Sequence, residues 1–287
     1  MGQPLTKTRA NEESDSEIGE TLAPKQQRGI QSVEVGGRLL DALARHRAPL
    51  GLSELAIAAQ LLPAQAHTYL VSLTRLGLVK RDALTGNYEP GPLSLRLGLM
   101  HIEQQPAYRA AVPHVAALAE AVGFSVAVCV AGAQGPIIVR YERGGFPLHV
   151  NLHIGTVMSL KKTSTGRVFA AFLESQQVAA IARSQTANSI GAGADEHKIT
   201  VDGAAIDPQW QARLDEIRKR GMDRSMDTPS PGISSLSVPV FDGEHRIQLV
   251  LTVIGSSGSI DINWDGAIAR QLRKTAQSVT AALADYL

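Results

Sequence analysis

The chain has 287 residues, 44% of them hydrophobic and 19% charged, with a formal net charge of +1. This composition suits a globular protein of one or two domains and excludes a bulk basic field as a source of nucleic-acid affinity. A single cysteine, Cys129, excludes an intrachain disulfide, no run approaches the roughly 18 apolar residues of a membrane span, and the start lacks a signal-peptide core, so a soluble cytoplasmic protein is expected.

Residues 1–29 are polar and mixed in charge, the composition of a disordered tail. Helical spacing begins at Val33, with Leu39, Leu40 and Leu43 on one stripe before Pro49. LSELAIAAQ reads as a second helix with Ser53 as its N-cap. After Leu61-Leu62, Pro63 opens a third helix and Gly77 ends it. Ala66, Leu70 and Leu73 form its core stripe, while Gln65, Thr68, Tyr69 and Ser72 form a polar, uncharged stripe. LVKRDALTGNYEPG reads as two short strands joined at Leu84–Asn87. Two helices across a tight turn, then a hairpin, make a winged helix-turn-helix pattern.

LSLRLGLMHIEQQ alternates like a strand but is better read as a helix, because leucine forms helices well and β-branched residues are scarce. It would carry Leu93, Leu97 and Met100 on one stripe and Leu95, Leu99 and Ile102 on the opposite one, so it needs two partners, its own domain and a second subunit. Further on, AAVPHVAALAEAVG is a helix ending at Gly123, FSVAVCVAG and GPIIVRYE are adjacent strands, and LHVNLHIGTVMSL is another apolar, β-branched stretch. TGRVFAAFLESQQVAAIA and DPQWQARLDEIRKRG read as helices. ISSLSVPVFDG and IQLVLTVIG read as strands joined at Asp242-Gly243, followed by a long closing helix from DGAIARQ. Paired strands mixed with helices predict an α+β domain with an antiparallel sheet.

LGLSELAIAAQLLPAQAHTYLVSLTRLGLVKRDALTGNYEPGPLSLRLG in the first half, with GTVMSLKKTSTGRVFAAFL and GISSLSVPVFDG…LTVIG in the second, resembles the IclR family of bacterial transcriptional regulators over roughly residues 30–287. The resemblance implies a winged helix-turn-helix domain over 30–92, a linker helix over 93–107, and a GAF-like effector-binding and oligomerisation domain over 108–287. It implies a ligand-responsive repressor or activator of catabolic genes, assembled as a dimer or as a tetramer built from two dimers, with no cofactor. The chain departs from the family at the start of the recognition helix, where a basic or hydroxyl pair and a later arginine are replaced by Ala64, Gln65 and Thr68. Some members also carry a cysteine where this chain has Ser235.

Residues 30–92 hold Arg38, Arg45, Arg47, Arg75, Lys80 and Arg81 against Glu34, Asp41, Glu54, Asp82 and Glu89, a difference of +1. One such domain would hold double-stranded operator DNA weakly, and two on adjacent half-sites would hold it better. Gln65, Thr68, Tyr69 and Ser72 are candidate base-edge readers, with glutamine suited to adenine and Thr or Tyr to a thymine methyl. His67 is open between DNA contact and helix packing. Lys80 and Arg81 are candidate phosphate contacts, and Lys25 and Arg28 a candidate minor-groove arm.

On the sensor side, Thr163, Ser164 and Thr165 precede a helix whose free amides would favour an anion. The resemblance adds Ser235, Thr252 and Ile254 as further walls, Asp227 nearby, and Pro147 and Val150 as apolar cover. This mixture suits a small organic or aromatic acid. Among the alternatives, a metalloenzyme is disfavoured: His149 and His153 would lie about 13 Å apart on a strand, and Asp195, Glu196 and His197 read as a Gly-rich surface loop. Cys129 reads as a small core residue. A GAF-like enzyme and a ligand-independent DNA-binding protein remain the competing readings.

Overall fold

The computed structural model describes residues 29–46, 48–146, 148, 152–189 and 207–284. The expected tail, apart from Gly29, and the Asp195–His197 loop lie outside the described residues. The chain divides into two compact units between Leu95 and Arg96.

The first unit contains α1 (Gln31–His46), α2 (Leu52–Ala58), α3 (Pro63–Arg75) and a hairpin of β1 (Val79–Arg81) and β2 (Tyr88–Pro90). One core joins them, built on Leu39, Leu43, Leu55, Ala66, Leu70, Leu73, Val79 and Tyr88. The cap of α2 differs from expectation. Its N-cap is Gly51, whose N–H donates to Glu54 Oε2 at 2.9 Å, and Ser53 lies inside the first turn. A carboxylate reaching back to the N-cap amide satisfies a free donor directly, so no hydroxyl cap is required. The wing is held close to the body at Gly91, where an added Cβ would strike the Gly77 carbonyl, a contact only glycine permits.

The division between units falls inside α4 (Pro92–Glu103), the expected helix. The second unit then runs α5 (Pro106–Val122), β3 (Ser125–Val130), β4 (Ile137–Glu142), α6 (Ser164–Phe172), α7 (Ser175–Ser189), α8 (Pro208–Arg220), β5 (Asp223–Ser225), β6 (Ile233–Phe241), β7 (Ile247–Ser256) and α9 (Ala267–Ala284). The strands form one antiparallel sheet in the order β4-β3-β7-β6-β5. Successive side chains point to opposite faces, so each strand serves two cores. Val126, Val128, Leu236, Val238, Leu251 and Val253 pack with α5 and α9. Ala127, Cys129, Val250 and Ile254 face the other way, toward Val168 and Phe169 of α6 and Ile217 of α8.

One further expectation is corrected. The single helix read through TGRVFAAFLESQQVAAIA is two, because Leu173 turns extended with ψ 157°. Every α6 residue from Ser164 to Ala171 is buried except the partly buried Arg167, whereas Ser175, Gln176 and Gln177 of α7 are exposed, and one straight rod cannot meet both demands. The stretch before α6 forms no strand among the described residues 152–160, only an isolated bridge between Ile137 and Val157.

Phe169 is fully buried between α6 and the sheet. Phe169→Ala should lower the unfolding free energy of this unit by about 3–5 kcal/mol. Urea titration followed by tryptophan fluorescence will check it, since both tryptophans, Trp210 and Trp264, belong to this unit.

Candidate functional site

At the head of α6, Thr163 is the N-cap, and its Oγ1 accepts from the Gly166 N–H at 2.9 Å. Gly166 lets the helix lie directly on the backbone before it, because a Cβ there would strike the Ser159 carbonyl. This seats Ser164 and Thr165 against the middle of the sheet. β6 and β7 pair Ser235 with Ile254 and Ser237 with Thr252, which puts their side chains on the face toward α6. The Ser164 hydroxyl pairs with Ser235 at 2.8 Å and with Ser237 at 2.7 Å. Thr165 pairs with Thr252 at 2.8 Å, and Ser237 with Thr252 at 2.9 Å.

The result is a closed set of five hydroxyls from three elements. Four of them are buried, and Ser235 alone is half-buried, at the edge of the set. Hydroxyls that donate and accept interchangeably can re-form around a polar guest without leaving a charge unpaired. Ile254 supplies an apolar wall beside Ser235. Ser237 was missed by the sequence reading, although it lies two residues beyond Ser235 and therefore on the same face.

The guanidinium of Arg167 on α6 is committed elsewhere. Arg167 Nε donates to Asp223 Oδ2 at 2.7 Å, and its Nη1 and Nη2 donate to the Lys161 and Arg224 carbonyls. Arg213 from α8 donates to the other Asp223 oxygen, and the Asp223 side chain is fully buried. The pair of arginines ties α6 and α8 to the edge strand β5.

Asp227 is not part of the hydroxyl set. It is exposed at φ 52°, and its Oδ1 accepts from the Gly232 N–H and the Ser257 hydroxyl, which closes a turn. Pro147 and Val150 lie outside the described residues, as does His149. Among the described residues no group of three or more His, Cys, Asp or Glu is placed to hold a metal ion. Cys129 is fully buried, and that burial pushes its thiol well above the ordinary range.

In the first unit, Gln65, His67, Thr68 and Ser72 are exposed on α3. Tyr69 is not. It is half-buried, packs on the core and lies over Gly36 of α1, because its position turns toward the buried stripe. The Thr68 hydroxyl donates to the Ala64 carbonyl at 3.1 Å and the Ser72 hydroxyl to the Thr68 carbonyl at 3.4 Å. On the wing, Lys80 pairs with Glu89 at 2.9 Å, an interaction that raises its pKa. Arg81 Nε donates to the Gly86 carbonyl at 3.0 Å. The Thr85 N–H, then its hydroxyl and the Leu84 N–H, hold the Asp82 carboxyl below its usual range and fix the wing tip.

A helix-turn-helix with a wing, followed by an α+β unit with a buried polar site, defines a regulator that joins DNA recognition to a sensor domain. Comparison with known proteins places it more closely. Residues 32–83 match the IclR helix-turn-helix domain, and residues 100–281 match the bacterial transcriptional regulator IclR C-terminal domain. The chain belongs to the IclR family of transcriptional regulators. It is 28% identical to the glycerol operon regulatory protein of Streptomyces coelicolor, over 82% of this chain and 87% of that one. Pseudomonas aeruginosa HmgR has a similar structure, with 29% identity, a TM-score of 0.54, and coverage of 89% of this chain and 98% of that one. An IclR homologue from Microbacterium hydrocarbonoxydans, crystallised with 4-hydroxybenzoate, shares the fold at 14% identity, with a TM-score of 0.69 and coverage of 88% and 98%.

Asp223 is the shared anchor of two arginines in this unit; removing it takes the carboxylate partner from the largely buried Arg167, while the half-buried Arg213 keeps Glu216. Asp223→Ala should cost about 3–5 kcal/mol. Thermal melting compared with the parent chain will test this; a loss below about 1 kcal/mol would be the value of a surface pair and would count against the anchor.

Proposed function

We propose that this regulator responds to a small organic acid that enters beside Ser235 and exchanges hydrogen bonds with Ser164, Thr165 and Thr252, with Ile254 against its apolar body. The observation that carries the reading is the closed hydroxyl set at the first turn of α6, where neutral donors and a helix N-terminus meet one half-buried serine. The homologue crystallised with 4-hydroxybenzoate supports an acid of that size. A neutral polyol is the second reading. It is favoured by the glycerol operon relative and by the absence of charge among the five hydroxyls.

On the DNA side, α3 enters the major groove with Gln65, Thr68 and Ser72 toward base edges and His67 at the margin, while Lys80 and Arg81 approach phosphates from the wing. Both cations already have partners on the hairpin, so each would exchange or share a bond on binding. A second copy of the chain supplies the second half-site contact. Leu95, Leu97, Leu99 and Met100 of α4 are exposed in the single chain, and a dimer, or a dimer of dimers, would cover them. The effector acts by binding the DNA-competent and DNA-incompetent arrangements unequally, with a coupling of about 1–3 kcal/mol.

Thermal shift and DNA binding with 4-hydroxybenzoate and glycerol as probes separate the two readings. At a hundredfold excess over its Kd, a true effector stabilises the chain by about 2.7 kcal/mol. Ser235→Leu should retain DNA binding and lose the response; an unaltered response would displace the site. Leu97→Glu with Met100→Glu should shift the chain to a smaller assembly in analytical ultracentrifugation, and an unchanged sedimentation coefficient would remove α4 from the interface.

A further inference from the structure

α3 carries a second exposed line, which shares Thr68 with the polar stripe of Gln65, Thr68, Tyr69 and Ser72. At about 3.6 residues per turn, Ala64, Thr68, Val71 and Arg75 fall one above another. They stand opposite the buried Ala66, Leu70 and Leu73, so they mark the centre of the outward face. Gln65 and Ser72 flank this line on one side and His67 on the other. Ala64, Thr68 and Arg75 are exposed, and Val71 is 37% exposed although the unit has an apolar core available to it.

The chemistry along the line is mostly methyl. Thr68 spends its hydroxyl proton on the Ala64 carbonyl, and Ser72 spends its own on the Thr68 carbonyl. Neither is left as a donor toward a base edge. What the line offers over two turns is the Ala64 methyl, the Thr68 methyl and the two methyls of Val71. No carboxylate interrupts it, and Arg75 closes its C-terminal end.

A major groove exposes one apolar base feature, the C5-methyl of thymine, while guanine calls for Arg or Lys and adenine for Asn or Gln. A helix-turn-helix brings its second helix to these edges. We infer that Ala64, Thr68 and Val71 form a methyl-reading line that selects thymine in the operator, with Gln65 beside it as the polar reader. The inference rests on the proposed placement of α3 in the major groove.

The test uses the full chain and a pool of random duplexes. The selected site is resynthesised with deoxyuridine in place of thymine, one position at a time, which removes only the methyl. Affinity should fall about threefold to tenfold at two or more positions, the scale of one buried methyl group each. Val71→Ala, a substitution on an exposed helix face, should make one of those positions indifferent and leave the others sensitive. Thr68→Ser keeps the hydroxyl and should lose discrimination as fully as Thr68→Ala. Equal affinity for thymine and deoxyuridine throughout overturns the inference, as does a Val71→Ala variant with the whole pattern intact. If bulky C5 substituents placed on the pyrimidines of the selected site, which fill the major groove, leave affinity unchanged throughout, the groove placement fails and the inference with it.

Discussion

A hydroxyl taken out of water must find a partner, and in the sensor unit four buried hydroxyls bond to one another and to the half-buried Ser235. Ser164 and Thr165 come from α6, Ser235 and Ser237 from β6, and Thr252 from β7. Satisfying them fixes the height of α6 on the sheet, because a helix displaced by one residue would strand a buried oxygen at a cost of about 1–3 kcal/mol. Arg167 fixes the rotation of the same helix through Asp223 on β5. The apolar packing of Phe169 follows from that placement and does not by itself choose it, since hydrophobic contact is non-directional.

The DNA-binding unit is ordered by a different rule. Its core is small and wholly apolar, and its polar groups serve local ends: Glu54 caps α2, Asp82 closes the wing, and Glu89 pairs Lys80. With one excess positive charge between residues 30 and 92 and two wing cations already engaged, the proposed DNA contact would depend on surface fit and on the number of copies brought to it. This separates affinity from recognition: the groups that would read bases lie on α3, and those that would hold phosphates lie on the wing.

Long periodic elements were legible in the sequence. The Ala66-Leu70-Leu73 stripe, the glycine stops at 77 and 123, and the β6–β7 hairpin at Asp242-Gly243 all follow from local spacing and turn chemistry. What escaped was set by tertiary demand. β5 is three residues long, too short for a period, and exists because Asp223 is needed beside two arginines. The break at Leu173 reflects how α6 is enclosed, which no helical propensity encodes. Tyr69 reads as polar surface when the tyrosine is counted by its hydroxyl, yet its ring covers Gly36. Of the site, the α6 residues were visible as hydroxyls near a helix start and Ser235 and Thr252 came from the family resemblance, whereas Ser237 required the two-residue alternation to be carried one step further.

Cys129 points toward the α6 side of the sheet, sealed from solvent, with its thiol held protonated by that burial. Thiolate is the form that reacts with alkylating reagents, so this sulfur is shielded by both access and ionisation. Because the sequence contains no second cysteine, the unaltered chain should serve as a background free of reactive thiols. A cysteine introduced on the wing or on α4 would be the one labelled, and in the proposed dimer distances between probes on the two copies would become measurable without first altering the core.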